Sequence, residues 1–421
     1  MRLLSGPLAI RVFLCFAFAY LLSYAFRSVN AVIASDLLRD AGLLNADLGL
    51  LTSAYFLSFA GLQLPLGIWL DKYGPRRTEA ALLLLAAAGA AIFATSTSLA
   101  GLWIGRALIG AGVSACLMAS FKAYRQWFAP ERQSQLASWM LVAGTSGALA
   151  ATVPVSAALP WIGWRGVFWI MSGLIVAAAT AIFFLLKKVE HMHAAQASSA
   201  SALRHNEPAG SQGYADIFRH PYFRRMAFLG TVNVGSFVAL QTLWVGPWMM
   251  TVLGMNQQQT AHILFAFNLC MLLAYLGLSW WAPRYLSHEG TRGYPVIRII
   301  GIGIAATIAL QAAMLMTSAS WSWIFWIAMA VFITVTTLVQ TSVSLSFPTA
   351  LAGRANSAFN LLLFVGAFLA QWGIGVLIDA FEARGASPPT AMRMAFAICL
   401  AWQAFGFIAF LLGRTQPTKP S

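Results

Sequence analysis

The chain has 421 residues, of which 60% are hydrophobic and only 9% charged, and its mean hydropathy is +0.74. So few polar side chains cannot cover the surface of a water-soluble domain, which excludes soluble enzymes and soluble binding proteins. The formal net charge of +14 points to nucleic acid only if it is gathered on one surface, and its distribution along the chain argues against that.

Crossing about 30 Å of hydrocarbon takes roughly 20 apolar residues in a helix. Twelve stretches qualify, near 12–35, 48–70, 79–98, 100–122, 136–158, 165–186, 226–250, 261–282, 297–317, 321–346, 356–378 and 391–413. They are predicted as helices, because lipid offers the backbone no hydrogen-bond partners and the alternating pattern of a barrel is absent. Ala17-Phe18-Ala19 resembles a small-x-small cleavage site, but the apolar run continues to Ser35, so the first span is expected to remain uncleaved.

That first span carries Tyr20, Ser23, Tyr24, Arg27 and Asn30, each 3 or 4 residues from another of the set, which places them on one helical face. A polar stripe inside a span is costly, so it is expected to line a water-filled cavity between helices. The bland alternative is an Arg27 held by carbonyls or a neighbouring helix. Between the second and third spans the chain reads GIWLDKYGPRR, with one acid, three bases, two glycines and a proline in eleven residues. Gly67 would let helices approach closely and Gly74 would permit a tight reversal. Asp71 would pair with a base such as Arg132 and face the positive N-terminus of the eleventh helix. Arg106 lies early in the fourth span. All twelve acids read as span-end or loop residues, Glu79 among them, so the two cations within spans have no evident buried counter-acid. That balance points to an anionic substrate group, for which arginine offers bidentate contact.

The longest polar interruption, 187–225, divides the spans six and six. The expected organisation is a six-helix bundle over 1–186, a cytoplasmic linker over 187–225 and a second six-helix bundle over 226–421. His191, His193 and His205 fall in this linker and read as a solvated tract rather than a metal site. In the second half, Asn233, Gln241 and Trp244 share one face of the seventh span. Asn268, Met271 and Tyr275 do so in the eighth, Gln340 and Ser344 in the tenth, and Asn360 and Gln371 in the eleventh. These are substrate-binding candidates, some of them simple interhelical hydrogen bonds. His262, the one histidine within a span, is a candidate for proton coupling or for an interfacial hydrogen bond. Cys15, Cys116, Cys270 and Cys399 lie on four different spans without metal or disulfide spacing and read as small core residues.

With the N-terminus in the cytoplasm and the spans alternating, four of the 26 Lys and Arg (Arg39, Arg165, Arg384, Arg393) fall on external pieces. Arg27 and Arg106 lie inside spans, and the rest are cytoplasmic. The positive-inside rule therefore accounts for the charge without a polyanionic partner, and both termini are expected in the cytoplasm.

Gly67-x-x-x-Asp71-Lys72-x-Gly74-x-Arg76-Arg77 resembles the signature loop of the major facilitator superfamily. Arg106-x-x-x-Gly110-x-Gly112 is similar to that superfamily's second motif, and Gly144-x-x-Gly147 with Pro154 is a partial match to its antiporter-associated motif. A weak internal echo supports a parallel repeat, with Pro130 and Arg132 after the fourth span and Pro348 and Arg354 after the tenth. The resemblance implies an all-α membrane protein of twelve helices in two pseudo-symmetric halves that rock about a central site. It also implies a conformational latch of Gly67, Asp71, Lys72, Gly74, Arg76, Arg77, Arg132 and Arg354. For Arg106 it implies a conformational or proton-coupling role as readily as substrate contact.

The expected function is a secondary transporter in the plasma (inner) membrane for a small anionic organic solute. No GxxxxGK[ST] sequence supplies an ATP route. A coupling proton or ion, a monomeric state, no nucleic-acid partner, no resident metal and no cofactor complete the expectation. Four alternatives stand beside it. Multidrug efflux would prefer a deep carboxylate. A siderophore would be another cargo, and copper would use Met249, Met250, Met255, His262, Cys270 and Met271. The last is a non-transporting receptor on the same fold. An intramembrane enzyme is disfavoured, since neither HExxH nor a pair of intramembrane aspartates occurs.

Overall fold

The computed structural model describes residue 4 and residues 6–129, 132–190, 214–287 and 294–413. His191, His193 and His205 lie outside the described residues, as does the middle of the linker. Apart from a two-residue parallel pairing of Leu286–Ser287 with Tyr294–Pro295, every regular element among the described residues is helical.

Twelve crossings are visible once two backbone breaks are recognised. A continuous helical path over Asn45–Thr95 is too long for one crossing, and Gly74, with φ of +78°, splits it into α2 (45–73) and α3 (75–95). That conformation is nearly free only for glycine, so the tight reversal expected of Gly74 is present. Gly163, at φ +63°, likewise separates the end of α5 from α6 (164–185). The other elements are α1 (Gly6–Ser28, continued by Asn30–Ala41), α4 (Leu99–Val113 and Cys116–Trp127) and α5 (Gln133–Ala150 and 153–162). The second half comprises α7 (Pro221–Thr251), α8 (Gln257–Tyr285), α9 (Val296–Leu315), α10 (Ser320–Leu345), α11 (Thr349–Glu382) and α12 (Pro388–Leu412).

Hydropathy places the start of the third crossing at residue 79, whereas α3 begins at 75, directly after the break. The charged first turn is helical because its charges are satisfied internally. Arg76 is buried, pairs with Glu190 at 2.5 Å and donates to the Phe183 carbonyl at 2.8 Å. The exterior is apolar, as lipid requires: Ile68, Ile302 and Leu412 are 67%, 63% and 76% exposed.

Helices within the first half meet through glycines, since lipid-embedded helices gain stability chiefly by close packing. A Cβ on Gly110 would lie 2.2 Å from the Tyr55 carbonyl oxygen of α2, and one on Gly112 would lie 2.3 Å from the Ala86 nitrogen of α3. One on Gly147 would lie 1.9 Å from the Leu21 carbonyl oxygen of α1. These backbone clashes have no flexible side chain to yield. Gly147→Ala is therefore expected to cost about 1–3 kcal/mol, read as a lowered melting temperature in detergent by fluorescence-detected size exclusion.

Gly67 is different. It is exposed, and nothing lies within 4 Å of the Cβ it lacks, so it brings no helices together in this conformation. Gly67→Ala should leave the same melting temperature unchanged.

The two halves meet tightly at one end of the bundle. Gly49 packs on the Gln371 carbonyl, Gly375 on that of Asn45, and Gly246 on that of Ala31. At the same end Asp379 of α11 accepts hydrogen bonds from the Asn45 and Ala46 backbone nitrogens at 3.1 and 2.6 Å, and from Asn45 Nδ2 at 3.0 Å. Gln257 of α8 donates to Asp36 at 2.9 Å and to the Val32 carbonyl at 3.3 Å. The Gly67–Arg77 turn lies at the opposite end.

Candidate functional site between the halves

The face predicted on α1 is real and leads to the centre of the molecule. Tyr20 and Tyr24 pack edge to face with ring centroids 5.0 Å apart, and their hydroxyls lie 3.4 Å apart. Gly144 of α5 makes room for them, since a Cβ there would come within 2.7 Å of Tyr20. One turn further on, the Arg27 guanidinium lies 4.7 Å from the Tyr24 ring, 5.8 Å from Tyr55, and 5.5 Å from both Phe59 and Phe364. Tyr55 and Phe59 are on α2, whereas Phe364 is on α11 of the other half and stacks on Phe56 at 5.7 Å. Tyr275 of α8 lies within electrostatic reach of Tyr24 and Arg27. Both halves therefore contribute to one aromatic cage around a single cation.

Arg27 has no ion-pair partner among the described residues, and its Nε has no hydrogen-bond acceptor. Cation–π contacts supply about 0.5–2 kcal/mol each, against a desolvation penalty of several kcal/mol for a charge drawn out of water. Rings position the guanidinium without neutralising it. An anionic ligand would.

The other predicted residues divide into groups. Asn30 is fully buried and donates to Thr52 Oγ1 at 2.8 Å, tying α1 to α2. Arg106 does not reach the cage. It is buried over Phe93 and Phe168 and donates to the Phe26 carbonyl at 3.1 Å, which holds the α1 backbone one residue before Arg27. In the second half Gln241 reaches Asn268 at 3.5 Å and the Met271 sulfur at 3.6 Å. Gln340 donates to Asn360 at 3.3 Å, and Trp244 to the Gln371 carbonyl at 3.1 Å. Asn233 is buried beside Gly406 of α12, with neither side-chain polar atom bonded. Two π-helical turns, Gly230–Val234 and Leu240–Trp244, hold Asn233, Gln241 and Trp244, and such bulges recur at functional sites. His262 is exposed, in a groove of about 450 Å³ between α5 and α8 lined also by Ser156, Pro160 and Gln257.

Around the signature loop the pairing differs from expectation. Asp71 pairs with Lys122 of α4, not with Arg132, and its side chain is 83% exposed rather than docked on α11. Lys72 lies over the Tyr73 ring, and Arg77, Arg132 and Arg354 are exposed. A larger departure concerns Glu79. It reads as a span-end acid, yet it is fully buried inside the first half, because helix α3 starts four residues earlier than hydropathy suggests.

Sequence reasoning missed Tyr55, Phe59 and Phe364. The i, i+3, i+7 spacing of Thr52, Tyr55 and Phe59 was an available signal for the first two. Nothing local distinguishes Phe364 among 29 phenylalanines.

Two six-helix groups closed at one end, with a caged and unneutralised cation where they meet, define a membrane transporter. The chain belongs to the Major Facilitator Superfamily, whose family model matches residues 16–371. It is 22% identical over 416 residues to a probable L-galactonate transporter of Escherichia coli strain K12, spanning 95% of this chain and 88% of that one. A hexuronate transporter of the same organism is 26% identical over 275 residues, 61% of this chain and 62% of that one. Among solved structures, a bacterial homologue of the human lysosomal transporter Spinster, inward-facing and unoccupied, superposes with a TM-score of 0.75. Its identity is 16%, and the match covers 99% of this chain and all of the other. The protein is a multi-pass membrane solute transporter, not an enzyme.

Proposed function

We propose that the protein carries a small organic anion of the sugar-acid class, a carboxylate bearing several hydroxyls, across the inner membrane. The observation that carries this reading is Arg27, caged by rings from both halves and paired with no acid. The carboxylate would take the guanidinium bidentately. The sugar face would rest on Tyr24, Tyr55 and Phe59, and its hydroxyls would meet Gln241 and Asn268. The relatives named for galactonate and hexuronate support the same ligand chemistry.

Both termini face the cytoplasm in this reading, on the distribution of Lys and Arg. The Asp379 end is then external and shut, so the conformation is inward-facing. Residues 1–186 and 226–421 rock as units about the cage, and linker 187–225 joins them. Uptake into proteoliposomes of a radiolabelled hexuronate, competed by the matching neutral hexose and by an organic cation, tests the reading. Competition by other sugar acids alone is expected. Preferential inhibition by the cation, or tight binding without flux, would overturn it.

The signature loop acts as a latch in the opposite conformation, where Asp71 would leave Lys122 for the N-terminal end of α11. In the present state its exposed ion pair contributes at most about 1 kcal/mol. Asp71→Asn should therefore leave melting temperature and hexuronate affinity unchanged while slowing turnover by about tenfold, the equivalent of ~1.4 kcal/mol. Normal turnover in the variant removes the latch.

A further inference from the structure

Glu79 lies on α3 five residues past the Gly74 break and is fully buried. Apart from the Cys116 thiol, a weak donor, neither carboxyl oxygen has a hydrogen-bond partner, and no base pairs with it among the described residues. An ionised carboxylate in such a place costs several kcal/mol. Packing does not explain it, since an apolar side chain of similar volume would fill the space at no such cost. Ionisable groups retained inside a membrane bundle at this expense mark proton or ion pathways.

Its surroundings are protic rather than charged. Cys116 of α4 faces the carboxyl, with Cys15 of α1 and Tyr124 of α4 close by. The Tyr124 hydroxyl is turned to the Met140 sulfur at 3.3 Å. The one charged group of α6, Arg165, is occupied with the Ser96 carbonyl at 3.1 Å, at the far end of α3. Further along α1 from Cys15, the Tyr20 and Tyr24 hydroxyls lie 3.4 Å apart. The Tyr24 ring carries Arg27. Protic side chains of α1 and α4 thus surround the buried acid inside the first half.

We propose that Glu79 is a proton-binding site of the transport cycle. Its consequence rests on the anion-carrier reading. An organic anion bound inside the bundle disfavours a second negative charge at Glu79, so anion and proton bind together more tightly than either does alone. The step is a single proton transfer: the carboxylic O–H bond breaks, the carboxylate remains, and the proton passes to water at the open end.

Two measurements test it. In proteoliposomes with a pH gradient, Glu79→Gln should lose uphill hexuronate accumulation at least tenfold, while hexuronate exchange without a gradient falls no more than about threefold (~0.65 kcal/mol). Accumulation equal to wild type, or exchange lost as deeply as accumulation in a folded variant, overturns the proposal. The second measurement needs neither substrate nor a folded variant. Infrared spectroscopy of the wild-type protein in vesicles should show a buried protonated-carboxyl band that disappears reversibly as pH is raised. A band that never titrates overturns the proposal. Absence of any hexuronate flux in wild type removes the anion-carrier reading alone and leaves the infrared result to decide on Glu79.

Discussion

Arg27→Gln is expected to weaken hexuronate binding by about 10- to 150-fold while leaving the weak binding of a neutral hexose within about twofold. The figure follows from the ligand chemistry. A hydrogen bond to a charged group contributes ~1.5–3 kcal/mol, and each 1.4 kcal/mol is a factor of ten. Glutamine keeps two donors on a side chain two bonds shorter, and removes the charge and the planar fork. Arg27→Lys keeps the charge without the fork and should fall between, because a point charge cannot hold both carboxylate oxygens. Titration of the purified variants by intrinsic tryptophan fluorescence reads all three affinities. Equal losses for the acid and the neutral sugar would mean that Arg27 shapes the cavity rather than choosing its occupant. Arg106 supplies the contrast. Its guanidinium is committed to the Phe26 carbonyl, so Arg106→Gln should depress stability and affect both ligands alike.

Asp379→Ala is expected to open the closed end. In one carboxylate the wild type gathers three hydrogen bonds, two from backbone nitrogens in the first turn of α2, where the helix carries its positive end. Bonds of this charge-assisted kind contribute ~1.5–3 kcal/mol each before competition from water. The equilibrium between closed and open at this end should then move by at least tenfold toward open. Arg39 and Arg384 are exposed on opposite halves at this end and suit spin labels. On a background lacking Cys15, Cys116, Cys270 and Cys399, the distance distribution between labels at 39 and 384 should gain a longer population in Asp379→Ala. Asp379→Asn, which keeps one acceptor oxygen, should show an intermediate shift. Identical distributions in all three proteins would show that the glycine contacts at Gly49, Gly246 and Gly375 hold this end shut without the carboxylate.

Much of the architecture was legible in one dimension. Hydropathy located every crossing to within a few residues, because a lipid core imposes a minimum apolar length wherever a helix passes through it. The Gly74 reversal was legible because a positive φ has few other occupants. The α1 stripe was legible because spacings of 3 and 4 define a face whatever that face meets. Three features were not. Gly67 seemed a packing glycine, but contact depends on where the neighbouring helix lies. Asp71 is expected to pair with a base such as Arg132, and Lys122 on α4 is the base it meets in this conformation. Glu79 reads as an interfacial acid because a hydropathy window stops at charge, while the helix it interrupts does not.

The amino-acid sequence alone therefore determined the solvent this protein lives in, the number of crossings and the presence of an uncompensated Arg27 on a polar face. Those properties depend on composition and on spacing along one helix, both local. Only the tertiary structure decided that Phe364 closes the cage from the other half, that Asp379 clasps a helix start 334 residues away, and that Glu79 is buried. Each of these, with Glu79 meeting a thiol and no base, depends on which helices adjoin, and in a lipid-embedded bundle that is chosen by close packing of small residues and not by any pattern that a single helix carries.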